Sequence, residues 1–209
     1  MKKFGALALA AALSVSAISA LAAEVNPVHD DFEANGELVD IELEHVGAKY
    51  DDVTETGMKL KIYDEIWYRA SDIESLQPGD VINCETGYTV ETVQKDGEGG
   101  FEINGGYEND GLSLWRDDDG TYEPYQADDL GYFDMMREAE LPFAEQVTVS
   151  TYQFDADGNL MDEDLEQTAA AADVKALLFT DEEDALSPSN TSVTVENGRI
   201  TRVEIDYEP

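Results

Sequence analysis

The chain has 209 residues, of which 48 are acidic and 12 basic, for a formal charge of −36, with two histidines and one cysteine. Nucleic acids and anionic membrane surfaces require clustered Lys and Arg, so this balance excludes both as partners and fits a cationic partner, bound cations or colloidal solubility. An apolar fraction of 42% argues for a folded core rather than acidic disorder, and a single cysteine excludes an internal disulfide.

The opening stretch, MKKFGALALAAALSVSAISALAAEV, has a basic start at Lys2 and Lys3, an apolar run and a small-x-small triplet at Ala20-Leu21-Ala22. That is the layout of a secretory signal peptide spanning 1–22, with the mature chain starting at Ala23. The apolar run is short and interrupted by Ser14, Ser16 and Ser19, which argues against a stable membrane anchor. Export to the extracellular space follows, or to the periplasm in a Gram-negative source. Losing Lys2 and Lys3 takes the charge from −36 to −38.

Residues 23–36 lack periodicity and read as a flexible leader. In LVDIELEHV, Val39, Ile41, Leu43 and His45 alternate with Asp40, Glu42 and Glu44, the pattern of a half-buried strand with His45 hydrogen-bonded at the core margin. GMKLKIY gives a second strand, with Met58, Leu60 and Ile62 opposed to Lys59 and Lys61. A Pro-Gly turn in SLQPGDVINC feeds a third, where Cys84 shares a face with Ile82 as a small buried hydrophobe. The stretch L-x-P-G-D-x-I is similar to a turn of small β-barrels. YTVETV, GFEING and GLSLWR continue as short strands.

From 130 to 141 the spacing of Leu130, Phe133 and Met136, an acidic first turn and the stop at Pro142 predict a helix. EQVTVSTYQF reads as a strand, and QTAAAADVKALLF as a second helix with Thr168 as N-cap. TSVTVENGRITRVEIDY is a hairpin. A three-residue Glu196-Asn197-Gly198 loop with Gly198 left-handed puts Val193, Val195, Val203, Ile205 and Tyr207 on one face, which a two-residue turn does not. The expected fold is α+β and β-rich. A section of short antiparallel strands and hairpins over 37–140, a small barrel or sandwich with a closing helix, is followed by a β-β-α-β-β section over 141–209, and the two sections share one core or hold two.

FDADGNLMDEDLEQ resembles a calcium loop, with Asp155, Asp157 and Asn159 at alternate positions and Glu166 twelfth. The sharp-turn Gly of an EF-hand is replaced by Leu160, and the preceding segment is a strand rather than a helix. Asx-Gly turns recur throughout the chain, and a tight turn is the preferred reading; weak calcium binding by the three named side chains is the competing one. His29 and His45 lie too far apart to give a zinc spacing. No cofactor is implied.

No nucleophile elbow, phosphate loop or zinc-protease motif is present, and among so many acids any carboxylate pair arises by chance. Aromatics cluster at Tyr63, Trp67 and Tyr68 and again from Trp115 to Phe133; they read mainly as core, with Trp67 and Trp115 as the candidate partner surface. Trp115 faces away from Leu112 and Leu114. The function expected from these features is a non-catalytic binding module for a protein or glycan at the bacterial cell surface or beyond, a cationic partner being compatible with the charge. A small secreted carboxylate hydrolase and a calcium-dependent adhesion or stability module are the alternatives.

Overall fold

The computed structural model describes residues 22–29, 35–84, 86–125, 132–154, 159–161 and 165–207. In chain order the strands are β1 (Glu24–Val25), β2 (Ile41–Leu43), β3 (Val46–Lys49), β4 (Gly57–Glu65), β5 (Val81–Cys84), β6 (Thr86–Thr89), β7 (Val93–Lys95), β8 (Phe101–Ile103), β9 (Leu112–Arg116) and β10 (Tyr122–Tyr125). They continue as β11 (Phe133–Thr151), β12 (Leu165–Ala170), β13 (Ala185–Leu186), β14 (Thr191–Glu196) and β15 (Arg199–Ile205). The described residues also include two short α-helices, α1 (Ala70–Ile73) and α2 (Val174–Leu178), and short 3₁₀ turns. The chain is β-rich, with several mainly antiparallel sheets and no closed barrel.

A large sheet runs β13-β3-β4-β11-β15-β14-β2, with β12 also paired to β11. Its inner face is the alternation visible in the sequence. Met58, Leu60 and Ile62 are fully buried while Lys59 points to solvent, and Val193, Val195 and Val203 meet them in one core. Each such side chain contributes roughly 1.5–3 kcal/mol by leaving water. Val174 and Leu178 of α2 cover that core.

Between β4 and β11, which are neighbours in the large sheet, the chain leaves to build a second core. In this inserted module β5 and β6 form a hairpin, and β7 to β10 form a four-stranded meander. Ile66, Tyr68, Ile82, Ile103, Leu114 and Tyr122 are buried there, and Cys84 lies beside Ile82 at 2% exposure. Tyr68 and Tyr122 exchange backbone hydrogen bonds of 2.8 and 3.0 Å, which tie the start of the module to its end. The Tyr68 hydroxyl donates to the Asn83 carbonyl at 2.6 Å, and burial, then the nearby Cys84, raises its pKa.

The segment 22–29, read from sequence as part of a flexible leader, is attached to this module. β1 pairs in parallel with β5, Val25 is buried, and the Val28 amide donates to the Trp67 carbonyl at 2.8 Å. His29 then reaches the junction with the large sheet. Its Nε2 lies 3.1 Å from Asp134 and its Nδ1 3.4 Å from Asp64, the latter an ion-pair distance without hydrogen-bond geometry. Asp64 and Asp134 are direct cross-strand partners, so the imidazole sits between two carboxylates that otherwise oppose each other.

Four expectations are corrected. First, the helix expected over 130–141 is, where described, the first half of the 19-residue β11. Register shifts between Met135 and Arg137 leave Met136 as an extra residue, and this bulge changes the parity of the alternation and mimics helical spacing. Beyond it Ala139, Leu141 and Phe143 alternate inward, and Pro142 lies at the last pair of the β4 ladder, opposite Gly57, where a missing N–H is tolerated. The section boundary expected at 140 thus falls inside one strand. Second, the helix expected from Thr168 starts later: residues 165–170 pair with β11, Thr168 opposite Thr148, and only Val174–Leu178 is α-helical. An open edge on β11 outweighs alanine's high helix propensity, which is a weak preference against tertiary pairing.

Third, the strand expected over 38–46 is broken into β2 and β3, and Val39 is 44% exposed. His45 nonetheless sits at the core margin, its Nδ1 2.9 Å from the Pro188 carbonyl and its ring against Phe133. Fourth, the terminal hairpin turns on two residues, Asn197 and Gly198, both at positive φ (52° and 72°), pairing Val195 with Ile200. A bulge at Thr201 then restores the alternation, so Val193 faces Val203 and Arg202 points away. Turn and bulge together place Val193, Val195 and Val203 inward as expected, with Tyr207 left 41% exposed.

Candidate functional site

The outer face of the meander carries the residues with chemistry. β9 has Leu112 and Leu114 in the core, so Ser113 and Trp115 take the opposite face. Register then sets their neighbours: Glu102 of β8 and Tyr125 of β10 flank Ser113, and Glu123 pairs with Trp115. Tyr107, from the 3₁₀ turn Tyr107–Asn109 between β8 and β9, completes the group.

Three rings meet edge to face. Tyr125 stands in the middle, 5.7 Å from Tyr107 at 66° and 6.2 Å from Trp115 at 84°. Trp115 is 53% exposed and Tyr107 37%. Such contacts fix ring orientation before any ligand arrives. The Tyr107 turn is itself pinned: the Asn104 side chain accepts from the Glu91 amide at 2.7 Å and donates to the Thr89 carbonyl at 2.9 Å. The Asn109 side chain donates to the Gly105 carbonyl at 2.8 Å, and the buried Ser113 hydroxyl accepts from the Tyr107 amide at 3.1 Å.

Beside Tyr107 and Tyr125 lies a cleft of about 170 Å³, walled by Glu102, Glu108 and Ser113. Two carboxylates and two phenol rings lining so small a space suit a compact cation: carboxylates pair with its charge, and ring faces attract it through their quadrupole. Farther along the same face, burial and then the negative charges of Glu65, Asp117 and Asp119 hold the Glu123 carboxyl above the ordinary carboxylate range.

Of the residues singled out by sequence, Trp115 belongs to this face. Trp67 is half-buried, and no ring contact among the described residues joins it to Trp115. Asp155 and Asp157 lie outside the described residues. Asn159 is exposed, next to an antiparallel bridge between Phe154 and Leu160. Among the described residues no group of three or more His, Cys, Asp or Glu side chains is arranged to hold a metal ion, and no helix is long and apolar enough to cross a membrane.

Tyr125 was within reach of sequence reasoning, since it lies three positions beyond the core residue Tyr122 and a strand must put the two on opposite faces. Glu102 was too, standing between the inward Phe101 and Ile103 of β8, whereas Tyr107 and Glu108 were not, because the irregular turn that presents them has no periodicity to read. Compared with protein-family models, with curated proteins and with solved structures, the chain matches none of them.

Proposed function

We propose that this chain is an exported, non-catalytic binding protein, and that the face built by Tyr107, Tyr125 and Trp115 takes a cationic group of a partner protein, a Lys or Arg side chain. The observation that carries the reading is the cleft beside Tyr107 and Tyr125, where two carboxylates meet two rings, Glu102 and Tyr125 from strands and Tyr107 and Glu108 from the pinned turn between β8 and β9. The chain's −36 charge supports it, because a basic partner is steered in from a distance while acidic ones are repelled. Trp115, at the edge of the ring group, offers a large apolar surface of the kind that anchors protein interfaces. Export rests on the 1–22 leader, and predicts a product beginning at Ala23; retention of Lys2 and Lys3 in the exported protein counts against it.

The test is chemical-shift mapping of the ¹⁵N-labelled protein with tetralysine in about 0.15 M NaCl, which screens exposed charges beyond roughly 8 Å. The amides of Tyr107, Ser113 and Tyr125 and the indole of Trp115 should move saturably, while the indole of Trp67 serves as an internal reference. Shifts scattered over the acidic surface, with the Trp115 indole unmoved, would reduce the interaction to diffuse counterion attraction.

A further inference from the structure

The large sheet carries a second cavity, far in sequence from the module's aromatic face and independent of the reading just given. It is a cleft of about 450 Å³ where β11, β14 and β15 end side by side and the connection from α2 to β13 folds over them. Thr151 pairs with Ile205, and Ile205 with Thr191, so three of its lining residues sit on paired strands rather than on loops. A volume in the range of about 300–1,000 Å³, framed by rigid elements, is what small-molecule sites usually show.

The lining is amphiphilic. Leu178 and Leu186 are nearly buried, and Ile205 packs against the main core. Beside them stand neutral polar groups, the hydroxyls of Thr151, Thr180, Ser187 and the buried Thr191 and the amide of Asn190. Asn190 Oδ1 accepts from Thr191 at 3.1 Å, whereas its Nδ2 donates no hydrogen bond among the described residues. Asp184 is the one charged group among the described residues of the lining. Its Oδ2 accepts from the Thr180 hydroxyl and amide at 2.7 Å each and from the Asp181 amide at 3.0 Å, leaving Oδ1 outside those three bonds. The Thr180 hydroxyl, then the two amides, hold this carboxyl below its ordinary range and so anionic.

At the mouth stands Tyr152, 37% exposed, braced by Phe154 at 5.7 Å and Tyr207 at 5.3 Å. We infer that this cleft is a binding site for a short neutral saccharide. The apolar lining residues and a fixed ring at the mouth suit the C–H faces of a sugar. Neutral donors and acceptors on the walls suit its hydroxyls, and the Asp184 carboxylate accepts from hydroxyls while repelling anions. A lipid tail would require the polar walls to be apolar, and a phosphate or carboxylate ligand would require a cation where Asp184 stands.

The test uses the full chain, ¹⁵N-labelled, titrated separately with maltotriose, cellotriose and chitotriose, and with L-arginine as a charged control. At least one trisaccharide should shift the amides of Thr151, Tyr152 and Asn190 saturably. Tyr152→Ala, at an exposed position, should weaken that binding about fivefold, the equivalent of roughly 1 kcal/mol of aromatic contact. Leu177→Trp, which fills the cleft from its half-buried lining position, should abolish it. Each variant is compared only after its spectrum shows the native dispersion. The inference is overturned if none of the three trisaccharides moves these amides, if both variants bind as the parent does, or if only L-arginine produces the shifts.

Discussion

Gly57→Ala probes the point on which the fold turns. Gly57 is buried and pairs with Pro142, where β11 leaves the β4 ladder; shortly afterwards β12 and β15 take β11 over on its two sides. A Cβ added at Gly57 would lie 2.5 Å from the Leu141 carbonyl oxygen and 3.0 Å from the Pro142 Cα. Both atoms are backbone, so no side-chain rotation relieves the contact and the two strands must separate. Overpacking of this kind costs about 1–3 kcal/mol. At roughly 2–4 °C per kcal/mol for a chain of this size, the thermal midpoint should fall by about 2–12 °C. Gly97→Ala is the matched control, with nothing within 4 Å of an added Cβ and no positive φ. There the loss of unfolded-state freedom should stabilise by about 0.4–1 kcal/mol, a rise of about 1–4 °C. Circular dichroism melts at pH 7 read both. A Gly57→Ala midpoint equal to or above the parent's would refute the close approach of β4 and β11 and the sheet order built on it.

Where the imidazole is protonated, His29→Ala should lower the midpoint by about 2–4 °C, since two partly exposed ion pairs of about 0.5 kcal/mol each are lost. Adding Asp134→Asn should recover part of the loss by ending the Asp64–Asp134 opposition, and a further fall on the second substitution would show that the carboxylates do not oppose each other. Glu123 binds its proton more tightly in the folded chain than in the unfolded one. Its contribution is therefore present below the ordinary glutamate pKa of about 4.3 and is lost as pH rises through the raised folded value. Glu123→Gln should raise the midpoint at pH 7 by up to about 2 °C and leave it unchanged at pH 3; equal shifts at both would remove the electrostatic cause.

How much of this was legible in the chain depended on whether alternation survived intact. Met58, Leu60 and Ile62 opposite Lys59, and Cys84 beside Ile82, stand as the period-two pattern implies. The same pattern is present in β11, but the bulge at Met136 splits it, and the leftover spacing of Phe133 and Met136 imitates a helix. In the terminal hairpin a second bulge, at Thr201, reconciled a two-residue turn with the required inward face, a combination that a turn rule or a face rule alone misses. The alanines from 169 onward follow neither pattern, and the open edge of β11 decides for the first two of them. The pairing of β4 with β11 across a whole inserted module leaves no local trace, since it is set by long-range burial. At the site, the outward direction of Trp115 was readable. The cleft was not, because it depends on Tyr107 being presented by an irregular turn.

The most direct test of the cationic-partner account is the affinity of tetralysine measured by calorimetry in about 0.15 M NaCl, for the parent, for Trp115→Ala, for Glu102→Gln/Glu108→Gln, and for Glu182→Gln/Glu183→Gln on a distant acidic loop. The account predicts a loss of about fivefold for each of the two aromatic-face variants, from roughly 1 kcal/mol of cation–ring or charge contact, and no change for the distant pair. Equal losses for both double Gln variants, with Trp115→Ala binding as the parent does, would contradict it and leave only the field of an acidic protein.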